Sequence, residues 1–182
     1  AAGATSGTGG NGGGGGGGAS GALVFLEAHT ASASATLDFT TISSTYDEYQ
    51  FHIVSILPAT DETNLLMRMG TGAGPTYDTG ANYSAASWEW RAGGGATGGT
   101  ESGSTSIALT RNGIDNAASL WTANGLINVY DPQGSRYTMT QGDMYVFGTG
   151  FSIAGQTVGA YQSTTAVTGI RFLMAAGNIT SG

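Results

Sequence analysis

Few residues of this chain could carry out acid–base chemistry. The 182 residues include two histidines, far apart, and two pairs of neighbouring carboxylates. A hydrolytic triad needs a histidine that an acid orients, and a glycosidase needs two carboxylates that flank one bond. Adjacent residues of a strand point to opposite faces, so neither carboxylate pair converges locally. The candidate acids and bases are His29, His52, Asp47 with Glu48, and Asp61 with Glu62.

This acid–base set predicts a protein that is not an enzyme. His52 alternates with Phe51 and Ile53, which places it on the outer face of a strand. Both carboxylate pairs lie at the ends of predicted strands, where acids commonly cap turns. No G-x-S-x-G sequence is present to form a nucleophile elbow. We therefore predict no catalytic residues; the enzymatic alternative is a polysaccharide depolymerase that uses the carboxylates.

The sequence offers no set of metal or cofactor ligands. It has no cysteine, and two distant histidines do not make a zinc site. The D-x-[DN]-x-[DN]-G spacing of calcium loops is absent. The G-x-G matches lie in low-complexity stretches and not between a strand and a helix. We predict neither a metal nor a cofactor.

The charge of the chain argues against two classes of partner. All five basic residues are arginines, the formal net charge is −7, and 9% of residues are charged, against a usual value of about 25%. Nucleic acids and anionic membrane surfaces both require clustered basic residues. No apolar run approaches the roughly 18 residues that span a bilayer. We predict no nucleic-acid binding and no membrane insertion, and so little charge favours a subunit packed within an assembly.

The aromatic cluster "NYSAASWEWR" (82–91) is the most suggestive patch for binding. Trp88 and Trp90 share one face of a predicted strand, Tyr83 lies nearby, and Arg91 lies on the other face. Aromatic rings beside polar groups often hold sugars or partner surfaces. The alternative interpretation is that both tryptophans belong to the core of a strand pair. The predicted contact residues are Tyr83, Trp88, Trp90 and Arg91.

The N-terminal segment 1–21 is a low-complexity stretch of Gly, Ala, Ser and Thr. Glycine loses more backbone entropy on ordering than any other residue, so such an arm needs neighbours to hold it. Glycine also permits close backbone approach, as between subunits of an assembly. We predict an extended arm that attaches the protein to an assembly. Its central run consists of Gly12, Gly13, Gly14, Gly15, Gly16, Gly17 and Gly18.

From residue 22 onward the sequence consists of short runs in which apolar and polar residues alternate. This pattern predicts a single all-β domain over 22–182. "EYQFHIVSILP" (48–58), "NLLMRMG" (64–70) and "AVTGIRFLMAAGN" (166–178) alternate apolar and polar residues. No window has the apolar period of a helix. About eight to ten strands separated by Gly, Asn, Asp and Pro turns are typical of an antiparallel β-sandwich, here of jelly-roll type.

Several local features are predicted within this domain. "LVFLEAH" (23–29) predicts a first strand, and 92–106 a long glycine-rich loop. The run 136–155 predicts two strands that meet around Gly142. The alternation of 48–58 breaks after Ile53, which indicates a β-bulge or burial on both faces.

Two parts of the chain resemble a family of small virion proteins of tailed bacteriophages. The resemblance rests on "STYDEY" (44–49), "PATD" (58–61) and "TYDTGANY" (76–83), and on "IRFLM" (170–174) followed by "GNI" (177–179). It covers about Leu23 to Gly182. These motifs are structural, so no catalytic residue follows from them.

The resemblance implies a structural protein of a virion and leaves its location in the particle open. We expect a tail or fibre subunit that can contact glycan on the host surface. From the N-terminal arm we expect contact with other virion proteins and with other copies of the chain, as a homotrimer. A capsid decoration protein held by its N-terminal arm is the main alternative. An extracellular filament subunit is a further one.

Overall fold

A computed structural model describes residues 23–117, 122–148 and 151–182, and every regular element in these ranges is a β-strand. The predicted assembly arm, Gly12 to Gly18, lies outside the described residues. The first seven strands are β1 (Ser32–Ser34), β2 (Thr36–Phe39), β3 (Glu48–Pro58), β4 (Leu65–Thr71), β5 (Thr76–Tyr77), β6 (Tyr83–Arg91) and β7 (Gly95–Ser104). The remaining six are β8 (Ile107–Ala108), β9 (Ala123–Tyr130), β10 (Thr138–Gly148), β11 (Phe151–Tyr161), β12 (Val167–Met174) and β13 (Ile179–Ser181).

The strands form two antiparallel sheets. The larger has eight strands in the order β1-β13-β3-β9-β10-β11-β6-β7. The smaller has five strands, β2-β12-β4-β5 with β8 paired to β4. The chain crosses repeatedly between the sheets, for example from β3 to β4 and from β11 to β12. The predicted all-β fold, an antiparallel β-sandwich, is confirmed.

The core lies between the sheets and is built from the alternating runs. Leu65, Met67 and Met69 of β4 are fully buried, as their spacing of two residues predicts. Across the smaller sheet, Phe172 of β12 lies opposite Met67 in register. Removing these side chains from water supplies the main driving force for joining the two sheets.

The predicted break in β3 is confirmed as a β-bulge. The register of β3 against β9 shifts between Ile53 and Ile56. Ser55 has a positive φ of 54°, and its backbone N–H donates to Asn124 Oδ1 at 2.9 Å. The bulge changes the phase of the strand, so that Ile56, three residues after Ile53, is buried as Ile53 is.

Three local predictions are wrong. The 23–29 segment forms no strand. It is held by the Glu27 carboxylate, which accepts hydrogen bonds from the backbone N–H groups of Thr40 and Thr41 and from Thr41 Oγ1. The predicted loop 92–106 contains the ten-residue strand β7, whose backbone pairs with β6 although its composition is that of a loop.

The third wrong prediction concerns Gly142, which was expected to separate two strands. It lies in the middle of the continuous strand β10. A Cβ atom there would come within 2.3 Å of Ile127 Cδ1 on β9. The glycine therefore permits close packing inside a continuous strand, which is one of the positional meanings of glycine in a sheet. β10 and β11 stay paired as far as Gly148 and Phe151.

Candidate functional site

The two faces of β6 decide where the predicted contact residues lie. Trp88 and Trp90 are each 47% exposed on the outer face of the larger sheet, which excludes the core interpretation of this pair. Tyr83 lies on the inner face and is fully buried, so the structure removes it from the predicted contact set. Its hydroxyl accepts a hydrogen bond from Met69 N–H at 3.0 Å and donates to the Asp78 carbonyl at 3.1 Å.

Arg91 lies at the end of β6, where its guanidinium stacks on an aromatic ring. Its Cζ atom lies 3.8 Å from the centre of the Phe151 ring, a cation–π arrangement. Arg91 and Phe151 border a separate depression together with 92–94, Thr97 and Asn112. Arg91 therefore does not join the surface around Trp88.

The ring of Trp88 is fixed by the neighbouring edge strand. A Cβ atom on Gly98 of β7 would come within 2.3 Å of Trp88 Cε3 and 2.5 Å of Cζ3, so the indole lies directly over this glycine. The Trp90 ring meets the Trp88 ring edge to face, with 6.2 Å between centroids and 69° between planes. One side of the Trp88 ring is thus covered by β7, and half of the side chain faces solvent.

A groove of about 640 Å³ runs beside Trp88 across β7, β6, β11 and β10. The register places Ala86 opposite Thr100 on one side and Val158 on the other. Because the side chain of Ala86 is small, it leaves a depression in the sheet surface next to the Trp88 ring. The side chains that face the groove are Ala86, Trp88, Thr100, Gln141, Gln156 and Val158.

The groove is uncharged and combines apolar side chains with a few polar ones. Among the described residues that line it, none is Asp, Glu, Lys or Arg. Gln156 and Gln141 supply amide groups, which both donate and accept hydrogen bonds. Gln156 Nε2 donates to Asp143 Oδ1 at 3.0 Å, which orients the amide and places a carboxylate beside the groove.

Beneath the tryptophans, on the inner face of β6, Glu89 is buried with 3% exposure. Its carboxylate accepts hydrogen bonds from Arg111 N–H at 2.6 Å, from Asn112 N–H at 3.0 Å and from Asn112 Nδ2 at 2.6 Å. Arg111 Nε also donates to Ser87 Oγ at 2.6 Å. This set of bonds, here called the Glu89 clip, ties β6 to the loop at 111–113. Sequence reasoning missed it because its donors lie more than twenty residues away.

A second polar cluster surrounds Asp78 in the "TYDTGANY" turn. The Asp78 carboxylate accepts hydrogen bonds from Gly80 N–H at 2.7 Å, Asn82 Nδ2 at 2.8 Å and Tyr161 Oη at 2.9 Å. Partial burial raises the pKa of Asp78, but these three bonds outweigh it and lower the pKa below its usual value. Burial raises the pKa of the neighbouring Tyr83 well above its usual value. The motif therefore organises a turn.

The acid–base candidates do not assemble into a reactive site. His29 Nε2 lies 2.9 Å from Glu27 Oε2, and His52 Nε2 lies 2.9 Å from Gln50 Oε1 on the outer face of β3. The carboxylates Asp47, Glu48, Asp61 and Glu62 are exposed. Asp61 Oδ1 accepts a hydrogen bond from Asn116 N–H at 3.1 Å, as expected for a turn residue. Within 23–117, 122–148 and 151–182, no three His, Asp or Glu side chains could hold a metal ion together.

The described part of the chain contains no helix long and apolar enough to cross a membrane. The chain matches no protein-family model, no curated protein and no solved structure.

Proposed function

We propose that this chain is a non-enzymatic structural subunit of a tailed-bacteriophage particle, located in the tail or a fibre, whose outer sheet face contacts glycan on the host surface. The observation that carries the proposal is the pair of half-exposed tryptophans, Trp88 and Trp90, on a rigid sheet face. Isolated exposed apolar residues are ordinary, but contiguous ones mark interaction surfaces. The resemblance to virion proteins supplies the biological setting.

The architecture supports a subunit that presents a surface. Large β-sandwiches hold side chains at fixed spacings on a sheet, and the Glu89 clip ties the strand that carries both tryptophans to the layer beneath it. The 1–21 segment would attach the domain to other copies, as a homotrimer, and to other virion proteins. Such a subunit needs no catalytic group.

The test is the copy number of the chain in purified particles, measured by quantitative mass spectrometry against the major capsid protein. We expect tens of copies per particle, as for a tail or fibre subunit. Hundreds of copies would replace this proposal with a capsid decoration protein. Particles without the chain, or filaments without capsid protein, would overturn the virion proposal and favour an extracellular filament subunit.

An enzymatic role is tested separately with purified host polysaccharide. We expect no shortening of the polymer by the full chain. Depolymerisation that disappears when Asp47, Glu48, Asp61 or Glu62 is replaced by the corresponding amide would overturn the non-enzymatic part of the proposal.

A further inference from the structure

We infer that the groove beside Trp88 binds an uncharged glycan, with one sugar ring stacked on the exposed side of the Trp88 indole and its hydroxyl groups bonded to Gln141 and Gln156. The inference rests on the proposed function, because it names the ligand class and the place of contact on the outer sheet face. The volume of the groove, about 640 Å³, lies within the range of small-molecule sites.

Trp88 is a prepared stacking platform. The backbone of Gly98 covers one side of its ring, so the indole keeps its orientation without a ligand. Trp90 braces it edge to face at 6.2 Å. A pyranose ring has an apolar face of C–H groups that fits against an aromatic ring, and little conformational entropy is lost when the ring is already fixed.

The polar groups of the groove match hydroxyl groups, which donate and accept at once. Gln141 and Gln156 are exposed amides that lie on neighbouring strands and open toward the groove. Each amide offers two donors and an acceptor. Gln156 is already held by Asp143 through a 3.0 Å hydrogen bond, so its orientation is set before binding.

The electrostatics exclude an acidic glycan. Binding a uronate, sialate or phosphate group calls for arginine or lysine in bidentate or close contact. The described groove lining has no basic side chain, and the Asp143 carboxylate stands beside it. Two arginines on or beside β6 are engaged elsewhere: Arg91 stacks on Phe151, and Arg111 bonds Ser87 on the inner face.

The next row of the sheet extends the surface along β11. Ala154 lies between Trp90 of β6 and Tyr145 of β10 in the same register row. Two strand spacings separate the two aromatic residues, about 9.6 Å, and the small Ala154 leaves the space between them open. Tyr145 is half exposed. This second aromatic position favours an oligosaccharide over a single sugar.

The test uses the full chain on an array of neutral oligosaccharides, built of hexoses and N-acetylhexosamines, and of sialylated and uronate-containing oligosaccharides. We expect binding to neutral members, with the Kd of the best of them, measured by calorimetric titration, below about 1 mM. Binding restricted to acidic members, or no binding to any member, would overturn the inference.

Two variants locate the site. Trp88→Ala should weaken binding of the best neutral oligosaccharide at least about tenfold, with an unchanged unfolding midpoint as the check on folding. Gly98→Ala keeps the indole but forces it to move, so it should weaken binding and shift tryptophan fluorescence. Gly74→Ala is its matched control, because a Cβ atom there meets nothing within 4 Å. Unchanged binding by both the Trp88 and Gly98 variants would overturn the inference.

The outcomes separate this inference from the proposed function. Binding of a neutral glycan that depends on Trp88 supports the groove as the glycan site, even if the chain is missing from particles. A copy number in the tens without any glycan binding would overturn the inference that the groove binds glycan. It would leave the proposal of a tail or fibre subunit intact.

Discussion

The inner and outer faces of β6 use side chains in opposite ways, and both depart from the usual division between core and surface. On the inner face a carboxylate, Glu89, is buried with 3% exposure, whereas on the outer face two tryptophans are 47% exposed. Buried charges are rare unless they are fully hydrogen-bonded, which the donors at Arg111 and Asn112 achieve here. The inner face therefore fixes the position of β6, and the outer face presents aromatic side chains to a binding partner.

The largest expected effect comes from breaking the inner face. Glu89→Ala should lower the free energy of unfolding by about 3 kcal/mol, because it leaves the N–H groups of Arg111 and Asn112 without their acceptor. Urea denaturation measures this loss. Glu101→Ala is the matched control, since its 3.5 Å ion pair with Arg111 is partly exposed and contributes under about 1 kcal/mol. Equal losses in the two variants would contradict a special role for the Glu89 clip.

A smaller effect is expected where the inner face loses one hydroxyl. Tyr83→Phe removes the acceptor of the buried Met69 N–H and should cost about 1–2 kcal/mol in the free energy of unfolding. Tyr137→Phe removes a hydroxyl from a half-exposed ring and should stay within about 0.5 kcal/mol of the wild type. Comparable values for both substitutions would show that burial of the hydroxyl does not matter here.

The same hydroxyl predicts a loss of stability in alkali. Burial raises the pKa of Tyr83 above its ordinary value of 10.0, so above pH 10 the unfolded chain releases a proton that the folded protein keeps. Stability from this group is complete below pH 10. As the pH rises further it falls, by at most about 1.4 kcal/mol per pH unit.

Unfolding free energies measured between pH 8 and about pH 11 test this slope. The Tyr83→Phe variant should show a shallower decline than the wild type, although it is less stable at pH 8. Parallel curves for the two proteins would mean that Tyr83 does not carry the alkaline dependence.

The smallest effect is expected on the outer face, and the same substitution on the inner face provides the comparison. Val158→Thr on the outer face of β11 should change the free energy of unfolding by no more than about 0.5 kcal/mol, because the side chain is half exposed. Val146→Thr on the inner face of β10 places a hydroxyl where the side chain is 1% exposed and should cost about 2 kcal/mol. Thermal unfolding of the two variants, run in parallel, gives the difference, and its absence would contradict the assignment of faces.

The parts of the fold that follow from local pattern could be predicted from the sequence. The spacing of Leu65, Met67 and Met69 gives both the strand and its buried face, because period-two alternation is a property of neighbouring residues. The bulge in β3 is visible as a break in that alternation after Ile53. Predictions of this kind need no knowledge of the partner strand.

The parts of the fold that depend on distant residues could not be predicted from the sequence. The composition of 92–106 is that of a loop, and it becomes β7 because the backbone of β6 offers hydrogen bonds along its whole length. The "WEW" sequence fits either face of β6 equally well. In the fold Glu89 lies inward, where Arg111 and Asn112 supply donors for its carboxylate, and the tryptophans point outward.

Because side chains alternate along β6, the fold depends more on the number of residues in this strand than on which side chains its outer face carries. Deleting one residue between Tyr83 and Glu89 would exchange the two faces beyond the deletion, turning Glu89 toward solvent and both tryptophans toward Arg111. Point changes at Ala86, Trp88 or Trp90 leave the Glu89 clip untouched. Natural variation at this surface should therefore proceed by substitution and not by insertion or deletion, so that one ligand preference can replace another while the strand keeps its nine residues.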